Sequence, residues 1–221
     1  MNKVALVFGG SRGIGAACVQ ALAGEFEVVS TSTKQADIQK AEDVKRAFDD
    51  AEKRHGRKVD CVVLAAGIGV PPGPVSQYDT ANFRKLVEVN IVGAFNVLRE
   101  AGQRVADGGS IIAISTSMVR HAVPGFGPYA GTKAAVECMV RSMAKEIAPR
   151  RVRVNAVAPG PVDTELFRAG KTEEAKQKSA ALSPFGRIGN PQEVAEVVSF
   201  LASDKASWVH GQIIQPNGGM V

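Results

Sequence analysis

Short apolar runs alternate along the whole chain with stretches whose apolar residues recur at helical spacing. The runs predict buried strands at 3–8, 27–30, 60–65, 109–115, 153–158 and 212–215. The helical spacing predicts helices at 14–23, 42–53, 79–105, 130–147 and 191–203. Regular strand–helix alternation favours a parallel sheet covered by helices on both faces. We therefore predict an α/β fold with one doubly wound parallel sheet, forming a single domain over residues 1–221.

The charge balance argues against nucleic acid as a partner. The formal net charge is +5, but the basic residues are spread along the chain, and the longest basic cluster, at 150–153, is short. An overall positive charge without a basic stripe favours a small anionic cofactor or substrate. We expect no nucleic-acid partner.

The cysteines and histidines form no metal-binding or disulfide pattern. Cys18, Cys61 and Cys138 lie far apart with no CxxC spacing, so we expect buried thiols in a reducing compartment and no metal. His121 and His210 are solitary as well. The chain begins with a strand-like segment and has no apolar run of membrane length. These features predict a cytoplasmic protein that does not bind a membrane.

A glycine-rich turn, GGSRGIG at 9–15, lies between the first predicted strand and the first predicted helix. Glycines let the chain turn tightly and bring backbone N–H groups close to a phosphate. The helix that follows adds the partial positive charge of its N-terminus. This arrangement predicts a pyrophosphate-binding site of a dinucleotide.

The same segment resembles the TGxxxGxG motif of the classical short-chain dehydrogenase/reductase family, with Phe8 in place of the usual Thr. The resemblance implies a Rossmann-type fold. It also implies that the turn contacts the cofactor through Gly9, Ser11, Arg12, Gly13, Ile14 and Gly15.

The end of the second strand bears on the choice of dinucleotide. A carboxylate there would bind a ribose 2′-hydroxyl and repel a 2′-phosphate, but the chain has Ser32, Thr33 and Lys34. Arg12 can pair with a phosphate. We therefore expect NADP(H), with NAD(H) as the alternative, and contacts from Ser32 and Thr33.

The chain is unusually short after this strand. It reaches Asp37 and Ile38 almost at once, where relatives first have a helix, and the resemblance implies that this pair contacts the adenine. The missing helix predicts a more open adenosine pocket. Further on, Ala65, Ala66 and Gly67 match the family's NNAG segment as LAAG and are expected beside the cofactor.

Tyr129 and Lys133 form a YxxxK pair, whose i, i+4 spacing places both side chains on one helix face. An ammonium beside a phenol stabilises the phenolate, so we expect a lowered tyrosine pKa. The phenol can then donate a proton to a forming alkoxide or accept one from an alcohol. Both residues are also expected to contact the cofactor.

Two further catalytic residues follow from the resemblance. Relatives have a serine 13 residues before the tyrosine, and that position is Thr116, with Ser115 and Ser117 as alternatives. Asn90 matches a helix asparagine whose backbone or side chain binds a water that relays protons to the lysine. The other interpretation of Asn90 is a core amide whose hydrogen bonds are satisfied.

The segment after the fifth strand resembles the family's PG motif, which holds the nicotinamide amide. The resemblance assigns this role to Pro159, Gly160, Val162 and Thr164. Residues 164–190 follow as a polar excursion that we interpret as a substrate lid. The residues expected near the substrate are Met118, Val119, Phe126 and Phe167, with Arg120 and Arg168 in the same region. The apolar residues suggest an apolar ketone or ketoacyl group, and the two arginines leave a charged substrate as the alternative.

Together these features predict an NADP(H)-dependent oxidoreductase that transfers a hydride between nicotinamide and a carbonyl or alcohol carbon of a small molecule. One alternative is an NAD-dependent alcohol or dihydrodiol dehydrogenase. The other is a dinucleotide-binding sensor with little turnover. By resemblance, we expect a homotetramer or homodimer assembled through the helices at 79–105 and 130–147.

Overall fold

The computed structural model describes residues 2–221, and its centre is one parallel sheet. The strands are β1 (Lys3–Phe8), β2 (Phe26–Thr31), β3 (Cys61–Leu64), β4 (Ser110–Ile114), β5 (Arg153–Val157) and β6 (Ile213–Ile214). They lie in the order β2-β1-β3-β4-β5-β6, and every neighbouring pair is parallel. The predicted parallel sheet is confirmed.

Helices cover both faces of this sheet. They are α1 (Gly13–Leu22), α2 (Ala41–His55), α3 (Thr80–Val87), α4 (Ala94–Arg104), α5 (Met118–His121), α6 (Gly127–Glu146), α7 (Glu165–Arg168), α8 (Glu173–Ala181) and α9 (Pro191–Ala202). On one face α2, α4 and α6 bury their apolar stripes, and on the other α1 and α9 do so. The doubly wound Rossmann-type architecture is therefore confirmed.

The helix predicted at 79–105 is confirmed as one unbroken helical stretch from Thr80 to Arg104, but its middle turn is π-helical. A π-helical segment, Glu88–Gly93, separates α3 from α4. Asn90 is buried in it and Gly93 passes so close to the preceding loop that a Cβ there would lie 2.6 Å from Ile38 Cγ1. The wide turn lets the helix accommodate a buried amide and this close contact, and such segments recur at functional sites.

The chain has no helix between β2 and α2, as the sequence predicts. Residues 32–40 form turns, and β2 ends the sheet on this side. After α2 the chain crosses to the opposite side of β1 to form β3. The strand order therefore reverses between β1 and β3, and in open α/β sheets such a reversal opens a ligand crevice at the carboxyl ends of the strands.

The strand register brings the predicted motifs to one edge. Phe8 pairs with both Thr31 and Leu64, and Ile114 pairs with Val157. The glycine-rich turn, the LAAG segment, the hydroxyls at 115–117 and the PG turn all follow these strand ends. They consequently line the same crevice.

The expectation of three buried thiols is wrong for one of them. Cys18 and Cys61 are buried, and burial raises their pKa values to about 12 and about 11. Cys138 is exposed because it lies on the outward face of α6, away from the stripe that packs on the sheet. In the described part of the chain, no helix combines the length and the apolar character needed to cross a bilayer.

Candidate active site

The glycine-rich turn has the backbone shape that a pyrophosphate requires. Gly9 and Gly13 adopt φ values of +86° and +54°, in the left-handed region that favours glycine. At Gly15 a Cβ would lie 2.1 Å from the Gly9 carbonyl oxygen. Side chains are thus excluded inside this turn, and the close-packed backbone at the N-terminus of α1 has the shape that fits a dinucleotide.

The exposed residues of this turn face the segment after β5. Ser11 and Arg12 are exposed, and the Arg12 guanidinium lies 3.6 Å from the Glu165 carboxylate at the start of α7. Ile14 begins the apolar face of α1 and packs against the core beneath the crevice. Arg12 is accordingly accessible to an anion.

The LAAG segment borders both ends of the crevice. A Cβ on Gly9 would lie 2.6 Å from the Ala66 nitrogen, so the turns after β1 and β3 touch through their backbones near Ala65. A Cβ on Gly67 would lie 3.1 Å from Lys133 Nζ and 3.2 Å from Asn90 Oδ1. The small residues leave room for both contacts.

The residues predicted at the adenosine end differ in how accessible their side chains are. The Ser32 amide and hydroxyl both bond Gln35 Oε1, and Thr33 is exposed. Asp37 is partly exposed, whereas the Ile38 side chain is buried in the core against the π-helical segment. Of the predicted adenine-contacting pair, only Asp37 has an accessible side chain.

Tyr129 lies in the first turn of α6, and Lys133 follows one turn later. Lys133 is buried, and its ammonium donates a 2.9 Å hydrogen bond to the Ile114 carbonyl at the end of β4. Burial lowers the pKa of Lys133 to about 8. Burial also raises the pKa of Tyr129 to about 12. The expected lowering of the tyrosine pKa is therefore wrong for the protein chain, because desolvation of the phenolate dominates.

Hydrogen bonding distinguishes the three hydroxyls after β4. Ser115 donates to Glu137 Oε1 at 2.6 Å, and Ser117 donates to the Ala158 carbonyl at 2.7 Å. Thr116 Oγ1 accepts a long 3.3 Å bond from the Met118 amide. Two donors are thus committed to the protein, and this geometry favours Thr116 as the hydroxyl that meets a ligand.

The Asn90 side chain anchors the segment after β3. Its Oδ1 accepts from the Ile68 amide, and its Nδ2 donates to the Ile68 carbonyl and to Thr132 Oγ1. These bonds use the side chain's main donor and acceptor positions. Any water bound by Asn90 would therefore be held by its backbone, which favours the backbone alternative.

The residues predicted to hold the nicotinamide end lie against the glycine-rich turn. The Cβ position of Gly13 would be 3.3 Å from Thr164 Cγ2, and Thr164 Oγ1 caps α7 by accepting from the Phe167 amide. Pro159 and Val162 are buried, and a Cβ on Gly160 would lie 3.0 Å from Asn217. The PG turn is thereby fixed by close packing.

Two buried residues at this edge were not identified from the sequence. Asn217 donates to Ser117 Oγ and accepts from the amides of Gly219 and Met220, so it joins the C-terminal turn to the end of β4. Glu137 is buried on α6 and binds Ser115. A carboxylate within the apolar stripe of α6 is a signal that could have found Glu137, whereas the isolated Asn217 had no periodic pattern.

Comparison with known proteins finds relatives that match almost the whole chain. Residues 3–221 match a family described as enoyl-(acyl carrier protein) reductase. The chain is 39% identical over 255 aligned positions to an Arabidopsis thaliana protein named NADPH-dependent aldehyde reductase-like protein, chloroplastic, covering 100% of this chain and 94% of the relative. It is 36% identical to a Picea abies protein named short-chain type dehydrogenase/reductase, covering 100% of this chain and 93% of the relative.

A solved structure of a Serratia marcescens short-chain dehydrogenase/reductase variant has the same fold. Its TM-score is 0.88 at 31% identity, and the superposition covers 99% of this chain and 97% of that chain. The fold and these relatives define the chain as an oxidoreductase. The chain belongs to the short-chain dehydrogenase/reductase family.

We predict that Lys133→Met makes the protein more stable at neutral pH, because methionine has similar length and no charge to desolvate. Lys133 has a folded pKa of about 8 against an ordinary 10.5, so the unfolded chain binds more protons between these values and wild-type stability rises with pH there. The advantage of the variant over wild type in free energy of unfolding should fall by about 3 kcal/mol between pH 7.5 and 10.5.

Urea denaturation at several pH values measures this difference. Lys145→Met is the control, because Lys145 is exposed on the same helix and its substitution removes a charge that is not buried. A difference between Lys133→Met and wild type that stays constant with pH contradicts the prediction.

Proposed function

We propose that this protein is an NADP(H)-dependent oxidoreductase that interconverts a carbonyl group and the corresponding alcohol of a small molecule. The observation that carries the proposal is one crevice that joins two parts. A glycine-rich turn that fits a pyrophosphate shares this crevice with a buried lysine, a tyrosine one helical turn before it, and the Thr116 hydroxyl, which accepts one long hydrogen bond.

In this proposal the bound nicotinamide supplies or accepts the hydride. The turn at 9–15 holds the phosphates, and the segment from Pro159 to Thr164 holds the nicotinamide end. Lys133 is largely protonated at neutral pH, because its pKa is about 8, and its ammonium can bind the cofactor's ribose. The backbone of Asn90 is the proposed support for a water next to that ammonium.

Tyr129 is the proposed proton donor in the direction of reduction. Its pKa of about 12 keeps the phenol protonated at neutral pH, so a proton is available for the substrate oxygen as that oxygen gains negative charge. Thr116 donates a second hydrogen bond to the same oxygen and orients it. The phenol is therefore in the protonated form that the reduction step uses.

The surroundings of the crevice favour an apolar substrate. Met118 and Val119, which follow Thr116 closely in the chain, line an open and mostly apolar hollow between α5 and the start of α6; Thr116, Tyr129 and Lys133 do not line it. Arg168 forms a two-pronged ion pair with Asp163, so its charge is already matched inside the protein. Arg120 is exposed, and Phe167 stacks beneath the Lys171 ammonium at 3.5 Å. We propose an apolar ketone, aldehyde or ketoacyl compound.

Residues 164–190 are the proposed lid over this substrate. Leu166 and Phe185 are exposed to 51% and 73%, and Leu166 reaches the opposite loop, within 3.6 Å of the Cβ position of Gly69. The segment is attached at its base, where Val162 and Gly189 form a β-bridge. Apolar side chains above a fixed base suit a cover that closes on an apolar ligand.

A Tyr129→Phe substitution tests the proposed proton donor. We expect kcat for reduction of an apolar ketone or aldehyde to fall by about 10²–10⁴-fold, because the substrate oxygen loses its acid. The control is Tyr78→Phe, since Tyr78 is the chain's other tyrosine and its hydroxyl bonds the Pro71 carbonyl. The measurement is NADPH oxidation followed by absorbance across a panel of carbonyl compounds. Turnover by Tyr129→Phe equal to that of Tyr78→Phe would falsify the assignment.

The preference for NADP(H) rests on Arg12 and on the lack of a carboxylate at 32–34. The Arabidopsis relative, which is named as NADPH-dependent, supports the same choice. The Arg12 guanidinium is exposed and its nearest acid is the exposed Glu165, so a 2′-phosphate can compete for it.

We predict that Arg12→Ala weakens NADPH binding by at least about tenfold and changes NADH binding by less than about threefold, because a phosphate contact is worth roughly 1.5–3 kcal/mol. Titration of cofactor fluorescence gives both dissociation constants. Arg54→Ala, at an exposed arginine on α2 remote from the turn, is the control. Equal loss of affinity for both cofactors would remove the support for NADP(H).

We further propose a homodimer or homotetramer that uses the outer faces of α4 and α6. Phe95 on α4 is 48% exposed, and on α6 Gly131 and Cys138 are exposed. An exposed aromatic beside small residues suits helix–helix packing between copies. The expected effect of Phe95→Asp is a lower mass in sedimentation equilibrium with unchanged circular dichroism. An unchanged mass would place the interface elsewhere.

The proposed cytoplasmic location rests on the free thiols, which suit a reducing compartment. The Arabidopsis relative is named as chloroplastic. The thiols therefore support a reducing compartment, and they do not single out the cytoplasm.

A further inference from the structure

We propose that Glu137 is a positioning residue for the reaction. Through the Ser115 hydroxyl it holds the end of β4 against α6, so that Thr116 stays in register with Tyr129 and Lys133. This inference rests on the proposed function of the same crevice. It adds a residue that does not touch substrate or cofactor and acts through its neighbour in space.

The first observation is the spacing along α6. Tyr129, Lys133 and Glu137 follow one another at i, i+4 and i+8, which places them along one side of the helix. The rest of the inward stripe is apolar and includes Val136 and Val140. A carboxylate within an apolar stripe is costly unless it is well bonded, so a specific partner is required.

The second observation is that partner. Glu137 Oε1 accepts a 2.6 Å hydrogen bond from Ser115 Oγ, and both residues are buried, with 6% and 3% of their surfaces exposed. Glu137 Oε2 lies 3.7 Å from the Arg141 guanidinium at the protein surface. Charge-assisted hydrogen bonds are shorter and roughly twice as strong as neutral ones. The serine is therefore held firmly.

The third observation is that two consecutive turns of α6 bond two consecutive residues where β4 ends. Lys133 bonds the Ile114 carbonyl at 2.9 Å, and Glu137 bonds the Ser115 hydroxyl. The next residue is Thr116, whose own hydroxyl has only a long bond to the Met118 amide. The orientation of Thr116 is thus set by the residues before it, and Glu137 fixes the nearer of them.

On the opposite side, Ser117 is held by the Ala158 carbonyl and by Asn217. Thr116 therefore lies between two anchored serines. Loss of the Ser115 anchor frees one end of this short segment. A displacement near 1 Å of an orienting group can reduce a rate by about 10²-fold, even when the altered residue is remote from the chemistry.

The test compares Glu137→Ala, Glu137→Gln, Ser115→Ala and the double variant Glu137→Ala/Ser115→Ala with wild type. We expect Glu137→Ala to lower kcat by about 10- to 100-fold with the dissociation constant for NADPH within about twofold of wild type. Glu137→Gln should recover kcat to within about threefold, because its amide oxygen can still accept from Ser115. Ser115→Ala should match Glu137→Ala, and the double variant should be no worse than either.

Ser142→Ala is the matched control. Ser142 donates a 2.7 Å hydrogen bond to Glu146 on the exposed face of the same helix. Ser142→Ala therefore removes a serine–glutamate bond of the same kind at a site away from β4. Its kcat should equal that of wild type. If Glu137→Ala does not fold, Ser115→Ala and Glu137→Gln still test the bond, because neither introduces a large cavity.

The outcomes separate positioning from a structural role and from failure of the proposed function. Wild-type kcat in both Glu137→Ala and Ser115→Ala overturns the proposal, and so does Glu137→Gln that is as slow as Glu137→Ala. Activity that falls only in proportion to the folded fraction, measured by circular dichroism, also overturns it. A wild-type protein that reduces no carbonyl compound, or a Tyr129→Phe variant with full activity, instead contradicts the proposed function itself.

Discussion

The buried ammonium of Lys133 is the constraint around which this crevice is arranged. A charge removed from water must be stabilised by the protein, and the Ile114 carbonyl supplies a direct bond at 2.9 Å. That bond ties α6 to the carboxyl end of β4, so the helix that carries Tyr129 cannot shift along the sheet without breaking it. The desolvation that this bond does not offset lowers the pKa of Lys133 to about 8, which is close to physiological pH. A polar ligand placed beside the Lys133 ammonium would therefore change the pKa of this lysine strongly.

The two ends of the crevice are built in different ways. At the catalytic end, side chains from β4, α6 and the C-terminal turn bond one another, through the Ser115–Glu137 and Ser117–Asn217 contacts. At the phosphate end the contacts are between backbones, because a Cβ at Gly9 or Gly15 would overlap neighbouring main-chain atoms. The short segment after β2 leaves that strand at the edge of the sheet. The proposed phosphate recognition therefore depends on the shape of the main chain, while the proposed proton transfer depends on a packed side-chain network.

Most of the fold and the chemistry-bearing motifs could be predicted from the sequence, because they are local patterns. Each strand and main helix was found by its periodicity, and YxxxK and the glycine-rich turn are contiguous. The π-helical turn at Asn90 could not be found this way, because one extra residue in a turn barely alters the apolar pattern. Cys138 was misplaced because small residues occur on both faces of α6. The Ser115–Glu137 bond joins residues 22 apart in the chain, and such pairing depends on how elements pack.

The wrong expectation for Tyr129 shows what a motif leaves out. The i, i+4 spacing indicates that an ammonium lies near the phenol, but it carries no information about solvent. In the structure desolvation raises the pKa of Tyr129 to about 12 and lowers that of Lys133 to about 8, so burial moves both groups toward their neutral forms. A neutral phenol is an acid, and an acid is what the oxygen of a carbonyl compound needs when it receives a hydride. The burial that makes these side chains costly in the folded protein therefore also keeps the phenol of Tyr129 protonated.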